Sequence, residues 1–223
     1  RRTLLRLISH ELHTPLAIIL ASSEIIERYY ERLTDAKRAI HMQRIRGQVE
    51  YLRQMLEDIT FTLGTEAHEG ESPTHFVLDE VCTQVFERVM RTMGGEHQLT
   101  MAIEGEMFDF FADERYIARS IHTLLAIAIK HAEPTIPIHL LLCSYGDKYG
   151  VIVMCNTPVT AEMMANAMLI TQPDIVQPHK PYFGLGMVIL REYTRRLNGH
   201  IHIHMLDGCE AIAVFWPKMT SVG

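Results

Sequence analysis

The sequence predicts an all-α helical hairpin followed by an α/β two-layer domain. Residues 1–64 carry apolar side chains at helical spacing, whereas residues 76–218 alternate strand-like apolar runs with helical segments. Between them lies a polar segment that contains a glycine and a proline, which is typical of a linker. We therefore expect a hairpin over 1–66, a linker over 67–75 and a second domain over 76–223.

The hairpin is predicted from two apolar stripes. Apolar residues of the second helix recur at alternating steps of three and four, which is a heptad seam: Met42, Ile45, Val49, Leu52, Leu56, Ile59 and Leu63. The first helix carries a similar inward-facing stripe: Leu5, Ile8, Leu12, Leu16, Ile19, Ile26, Tyr30 and Leu33. A turn follows at Leu33, with Thr34 or Asp35 as the N-cap of the second helix.

A single hairpin leaves one side of each stripe uncovered. We therefore expect residues 1–64 of two chains to form a four-helix bundle as a homodimer. The alternative is a hairpin that packs on the rest of its own chain.

The second domain is predicted to contain three helices and a mixed sheet. The helices are expected at about 78–93, 113–131 and 186–199, where glycines close the first and the last. The strands are expected at 98–105, 107–112, 136–145, 150–156, 200–206 and 210–216.

Composition excludes several classes of protein. The 223 residues carry a net charge of -6 with both signs interspersed, so there is no basic stripe and we expect no nucleic-acid partner. The four cysteines form no CxxC pair, so we expect buried thiols in a reducing compartment and no metal site. The chain begins with Arg1 and Arg2. We expect a cytoplasmic fragment whose sensor domain, and any membrane anchor, lie upstream.

The stretch "ISHELHTPL", residues 8–16, carries the candidate chemistry. His10 and Thr14 are four residues apart and share an outward helical face. Glu11 can accept from the Nδ1–H of the imidazole, which leaves Nε2 unprotonated and nucleophilic. Pro15 removes the helical hydrogen bond to residue 11 and is expected to bend the helix below His10.

This stretch resembles the H-box of sensor histidine kinases, the signalling enzymes of two-component systems. The resemblance implies that His10 accepts the γ-phosphoryl group of ATP and that Glu11 acts as its acid/base partner. It implies that Thr14 orients water when a response regulator is dephosphorylated. The implied partner is the receiver domain of that regulator, whose aspartate takes the group.

Three stretches of the second domain are similar to the ATP-binding domain shared by histidine kinases, gyrase and Hsp90-type chaperones. They are residues 111–134, 183–201 and 209–217. The resemblance implies ATP and Mg²⁺ as cofactors. The implied ATP-binding positions are Thr123, Ile127, Lys130, His131, Asn156, Gly184, Leu185 and Gly186. Gly184 and Gly186 would allow the backbone to approach a phosphate at a helix N-terminus.

The motifs of this domain depart from the family pattern. The family has asparagines where this chain has Thr123 and Ile127, and isoleucine offers no oxygen to Mg²⁺. Asn156 replaces the aspartate that contacts adenine, and Tyr182 replaces a lid glycine. We therefore expect a degenerate ATP site. The alternative is that oxygens of Glu133, Thr123 or Asn156 hold the metal instead.

Two functions follow as hypotheses. In the first, the chain is a sensor histidine kinase core that carries phosphate on His10 and exchanges it with a response-regulator aspartate. In the second, it is a pseudokinase, a phosphotransfer or phosphatase scaffold with weak or absent ATP binding. The first hypothesis includes autophosphorylation of His10 from ATP, but the departures in the ATP-site motifs lead us to expect that this step is impaired.

Overall fold

A computed structural model describes residues 2–63, 73–92, 97–106, 108–133, 135–156, 184–206 and 209–218. The chain forms two compact units, residues 1–69 and 70–223, and the division falls within the predicted linker. No helix among the described residues is long and apolar enough to cross a membrane.

The first unit is a helical hairpin, as predicted. Helix α1 spans Arg2–Tyr29, a 3₁₀ turn follows at Tyr30–Arg32, and helix α2 spans Asp35–Leu63. The Thr34 hydroxyl accepts from the Lys37 N–H at 3.4 Å, so Thr34 is the N-cap of α2. Asp35 instead pairs with Arg38 one turn later. The two helices pack along their length.

The heptad seam of α2 divides into two rows. Ile45, Leu52 and Ile59 are half-buried on the side that faces α1, together with the buried Met55. The other row is exposed to solvent: Met42 by 44%, Val49 by 52% and Leu56 by 54%. On α1, Leu16 is 52% exposed and Leu20 is 59% exposed. The prediction that Leu16 faces inward is therefore wrong for the single hairpin. Contact between α1 and α2 buries only some residues of each apolar stripe and leaves the others, including Leu16, exposed.

The described residues of the second unit form seven strands in two sheets. They are β1 (Thr74–Val77), β2 (Leu99–Glu104), β3 (Asp109–Ala112), β4 (Ile138–Tyr145), β5 (Lys148–Cys155), β6 (His200–Leu206) and β7 (Cys209–Pro217). The main sheet has the order β2-β4-β5-β7-β6. Its β2–β4 pair is parallel and its other pairs are antiparallel, which confirms the predicted mixed sheet.

Strand β1 is not predicted by the sequence pattern. It begins at Thr74, inside the predicted linker 67–75, and pairs antiparallel with β3. Three of its four residues are exposed, so it carries no strong alternation of apolar and polar side chains. Its pairing depends on a strand more than thirty residues away, which a local pattern does not reveal.

Three described helices complete the second unit: α3 (Leu78–Thr92), α4 (Glu114–His131) and α5 (Gly184–Arg196). The N-cap of α4 is Asp113, whose side chain accepts from the Arg115 N–H at 3.0 Å. Helix α4 packs against both α3 and α5, so it is central to the helical layer. The main core lies between these helices and the sheet. Its most deeply buried members include Leu78, Ile117, Ile121, Leu124, Leu125, Ile138, Leu190, Val214 and Trp216.

The opposite face of the sheet carries a second buried cluster: Leu141, Cys143, Ile152, Met154, Ala211, Ala213 and Phe215. Cys82 and Cys143 are buried, as predicted, and Cys155 is half-buried. Burial raises the pKa of the Cys82 thiol to about 12 and that of Cys143 to about 11. Both thiols are therefore protonated at neutral pH and behave as small apolar side chains. The side chain of Cys209 lies outside the described part of the chain.

Candidate functional site

The predicted phosphoacceptor motif lies on α1. Glu11 is half-buried, Thr14 is exposed, and Pro15 is buried inside a helix that continues unbroken through it. The backbone of His10 is helical, and its side chain lies outside the described part of the chain. The chemical role of His10 therefore stays a prediction, while its place on a well-packed helix is established.

Glu11 is contacted by a residue that the sequence does not single out. The hydroxyl of Tyr51, on α2, donates to Oε2 of Glu11 at 3.4 Å. Tyr51 is half-buried and stands next to the seam residue Leu52. Forty positions separate the pair in the chain. Only the antiparallel hairpin brings them together, so no local signal in the sequence reveals the contact.

In the second unit, three of the predicted ATP-binding residues come together at the contact of α4 with α5. Thr123 and Ile127 lie one helical turn apart on α4 and both are buried. A Cβ placed on Gly186 would lie 3.1 Å from Cγ1 and 3.5 Å from Cδ1 of Ile127, and 4.0 Å from Cγ2 of Thr123. Because Gly186 has no side chain, it leaves space for the side chain of Ile127. The neighbouring Leu185 is also buried.

Thr123 and Ile127 lack the amide oxygens that the family pattern would offer to a Mg²⁺ ion. Magnesium requires near-octahedral oxygen coordination, and Ile127 supplies no oxygen. The Thr123 hydroxyl is buried and has no hydrogen-bond partner among the described residues. Between them, Thr123 and Ile127 offer one side-chain oxygen to a hard divalent cation. Around Ile127 the α4–α5 contact is apolar packing, continuous with the main core, to which Ile127, Met187 and Leu190 belong.

The other predicted ATP-binding residues lie at chain positions with simple structural roles. Lys130 and His131 are exposed in the last turn of α4, where positive charge also favours the helix dipole. Asn156 follows β5 with φ of 76°, a left-handed conformation that asparagine tolerates. Its N–H donates to the carbonyl of Pro137 at 2.7 Å. Gly184 is the first residue of α5.

The order of the two units and their internal architecture define a class of protein. A helical hairpin that carries a Ser-His-Glu-Leu motif precedes a unit in which helices pack on a mixed five-stranded sheet. This is the architecture of the catalytic cores of sensor histidine kinases, as the resemblance of the motifs implies.

Comparison with known proteins supports that resemblance. Residues 1–63 match the family model of the His Kinase A (phospho-acceptor) domain. The chain is 24% identical over 224 residues to the circadian input-output histidine kinase CikA of Synechococcus elongatus. That match covers 96% of this chain and 29% of the relative, so the chain spans less than a third of the relative's length. Residues 1–63 are thus similar to a histidine kinase phosphoacceptor domain, and nearly the whole chain is similar to part of a histidine kinase.

Solved structures confirm the predicted fold class. The histidine kinase AdeS of Acinetobacter baumannii superposes with a TM-score of 0.63 at 15% identity, covering 95% of this chain and 98% of that one. The histidine kinase ThkA, in complex with the response regulator TrrA, superposes with a TM-score of 0.57 at 19% identity. That match covers 95% of this chain and 60% of the other.

Proposed function

We propose that this chain carries a phosphoryl group on His10 and exchanges it with the aspartate of a response regulator. Support comes from the phosphoacceptor family match over residues 1–63 and from the position of the motif on α1. The structure of ThkA with TrrA supports a receiver domain as the partner class. The proposal places the reaction in the cytoplasm, with the sensing segment elsewhere in the full protein.

The proposed transfer assigns a step to each residue of the motif. The Nε2–P bond of His10 forms as the bond between phosphorus and the donor's leaving atom breaks, and the Nδ1 proton passes to Glu11. In the transfer to the regulator, the Nε2–P bond breaks as the aspartate oxygen bonds to phosphorus, and Glu11 returns the proton to Nδ1 so that the imidazole leaves as a neutral ring. Thr14 is exposed and would orient the water that hydrolyses the aspartyl phosphate, which releases inorganic phosphate.

We propose that the functional unit is a homodimer joined through residues 1–64. Leu16 and Leu20 on α1, and Met42, Val49 and Leu56 on α2, are all more than two-fifths exposed. Successive residues of an α-helix are rotated by about 100° around its axis. On this geometry, the exposed residues of α1 and those of α2 are both rotated away from the inward face of their own helix, and in the same direction when each helix is viewed from its N-terminus. In an antiparallel pair, both sets therefore emerge on the same side of the hairpin. Two copies joined through this apolar side complete a four-helix bundle.

We further propose that ATP-dependent autophosphorylation is impaired. Support comes from the packing of Ile127 against Gly186. The resemblance aligns Ile127 with the asparagine that ligates the metal in the family. A bound metal supplies several kcal/mol in phosphoryl transfer, so its loss slows the reaction by about a hundredfold or more.

The experiment uses two labelled phosphoryl donors on the whole chain. One arm supplies γ-labelled ATP with Mg²⁺, and the other supplies labelled phosphoramidate, which needs no nucleotide site. We expect acid-labile, base-stable label from phosphoramidate and little label from ATP. The label should vanish in His10→Ala and persist in His13→Ala, a matched control because His13 is exposed three residues further along α1.

Each outcome decides a separate part of the proposal. If ATP labels His10 at the rate of ordinary kinases, the proposal that autophosphorylation is impaired is wrong, and the chain is a fully active kinase core. Absence of label from both donors, or label that survives in His10→Ala, would contradict the assignment of His10.

A further inference from the structure

We infer that Tyr51 positions Glu11 for phosphoryl transfer at His10. The inference deepens the proposed function and rests on it. Tyr51 lies on α2, outside the phosphoacceptor motif, and acts through the carboxylate that its hydroxyl contacts. It is a positioning residue, because its contact is with Glu11 rather than with the reacting atoms.

Helix geometry explains why Glu11 needs such a contact. Adjacent residues on an α-helix do not face each other, so the Glu11 carboxylate must be turned along the helix surface to reach the neighbouring imidazole. Glutamate has several rotatable bonds, and holding one rotamer costs conformational entropy. A donor on the facing helix fixes one carboxylate oxygen and so reduces the number of rotamers that Glu11 samples.

The contact is suited to a group that must also exchange a proton. A carboxylate has about four acceptor sites on two oxygens, so accepting from Tyr51 at Oε2 leaves capacity for the imidazole. The separation of 3.4 Å is long for an O–H···O bond. Hydrogen bonds at catalytic groups are often long before the reacting complex forms and shorten in it.

The hydroxyl can be tested separately from the ring. Tyr51 is half-buried in the hairpin, so Tyr51→Phe keeps the packing of the ring and removes only the donor. Tyr29→Phe is the matched control, since Tyr29 is a 42% exposed tyrosine of the same hairpin. Urea unfolding followed by circular dichroism should give the same midpoint for both variants.

The test is a double-mutant cycle on labelling of His10 by phosphoramidate. The chains are the wild type, Tyr51→Phe, Glu11→Gln and the double variant. We expect Tyr51→Phe to slow labelling by about tenfold, the effect of one hydrogen bond to a charged group. We expect Glu11→Gln to slow it by about a hundredfold or more. Tyr51→Phe should have no further effect on the Glu11→Gln chain, because the two residues act through one contact.

The outcomes separate this inference from the function on which it rests. A wild-type rate in Tyr51→Phe, or an equal loss in Tyr29→Phe, would overturn the role of Tyr51 while His10 still takes label. Additive losses in the double variant would also overturn it, because they place Tyr51 on a route that bypasses Glu11. No label in the wild type would overturn the proposed function itself.

Discussion

Ile127 of α4 lies in direct contact with Gly186 at the start of α5. A Cβ on Gly186 would stand 3.1 Å from Ile127 Cγ1, which is tighter than nine in ten real Cβ contacts. The glycine that the motif assigns to phosphate binding thus makes room for an isoleucine of the core. Packing density in protein interiors makes such a contact sensitive to one methylene group on either side.

The first prediction concerns the missing metal ligand. Ile127→Asn should raise Mg²⁺-dependent affinity for ATP, because the amide oxygen restores a hard ligand at that position. It should also destabilise the second unit by about 2–4 kcal/mol, since it replaces a buried apolar side chain by a polar one. Calorimetric titration of ATP with and without Mg²⁺ measures the first effect. Urea unfolding followed by the fluorescence of the single, fully buried Trp216 measures the second.

Ile127→Val is the control for this substitution. It should cost about 1 kcal/mol and leave nucleotide affinity unchanged. If Ile127→Asn gains no affinity, the limiting defect is not the metal ligand and must lie at the adenine or lid positions.

The second prediction tests the α4–α5 contact as packing. Gly186→Val should destabilise the second unit by about 1–3 kcal/mol, because its side chain overlaps that of Ile127. In an Ile127→Ala background the same substitution should cost less, with a coupling of about 0.5–3 kcal/mol. Unfolding of the four chains, followed through Trp216, gives this coupling. Equal costs in both backgrounds would show that the two residues do not share one space.

The third prediction concerns the proposed dimer. Val49→Glu or Leu56→Glu should convert it to a monomer, because both residues belong to the exposed apolar side of the hairpin. Sedimentation equilibrium measures the change. Ile40→Glu is the control, since Ile40 is 50% exposed and lies on the opposite side of α2. Dissociation by Ile40→Glu alone would place the interface on the other side.

The fourth prediction concerns the dependence of stability on pH. Burial lowers the pKa of His139, whose Nδ1 lies 2.5 Å from the Thr100 hydroxyl on the neighbouring strand. The folded state disfavours the protonated ring of His139, so the contribution of this residue to the free energy of unfolding is fully present above the ordinary pKa of 6.5. This stabilisation is lost as the pH falls through the lowered pKa that His139 has in the folded state.

The measurement is the free energy of unfolding between pH 5 and pH 8, a range of about three units around an ordinary histidine pKa. The slope in the acid half of this range should be smaller in His139→Asn than in the wild type. A slope that is the same in His139→Asn and in the wild type would exclude His139 as its source.

Local patterns predicted most of the elements. The helical periods located α1, α2, α3 and α4, and the alternating runs located six of the seven strands. The polar turn at Thr34 predicted the hairpin because turn and capping chemistry is local. Strand β1 could not be predicted from local patterns, because it is short and exposed and forms only through pairing with β3, which is distant in the sequence.

The sequence by itself predicted the fold class and indicated the residues to test for chemistry. The motif of residues 8–16 and the order of helical and alternating segments are local features, so they can be recognised without the tertiary structure. It also determined that Ile127 cannot ligate a metal, because a hydrocarbon side chain has no donor atom wherever it lies.

Only the tertiary structure decided what surrounds these residues. It paired Tyr51 with Glu11 across forty positions, divided the α2 seam into a packed row and an exposed row, and set Ile127 against Gly186. Each of these depends on which helical faces meet. That choice is made by the burial of apolar surface over the whole unit, and no single segment encodes it.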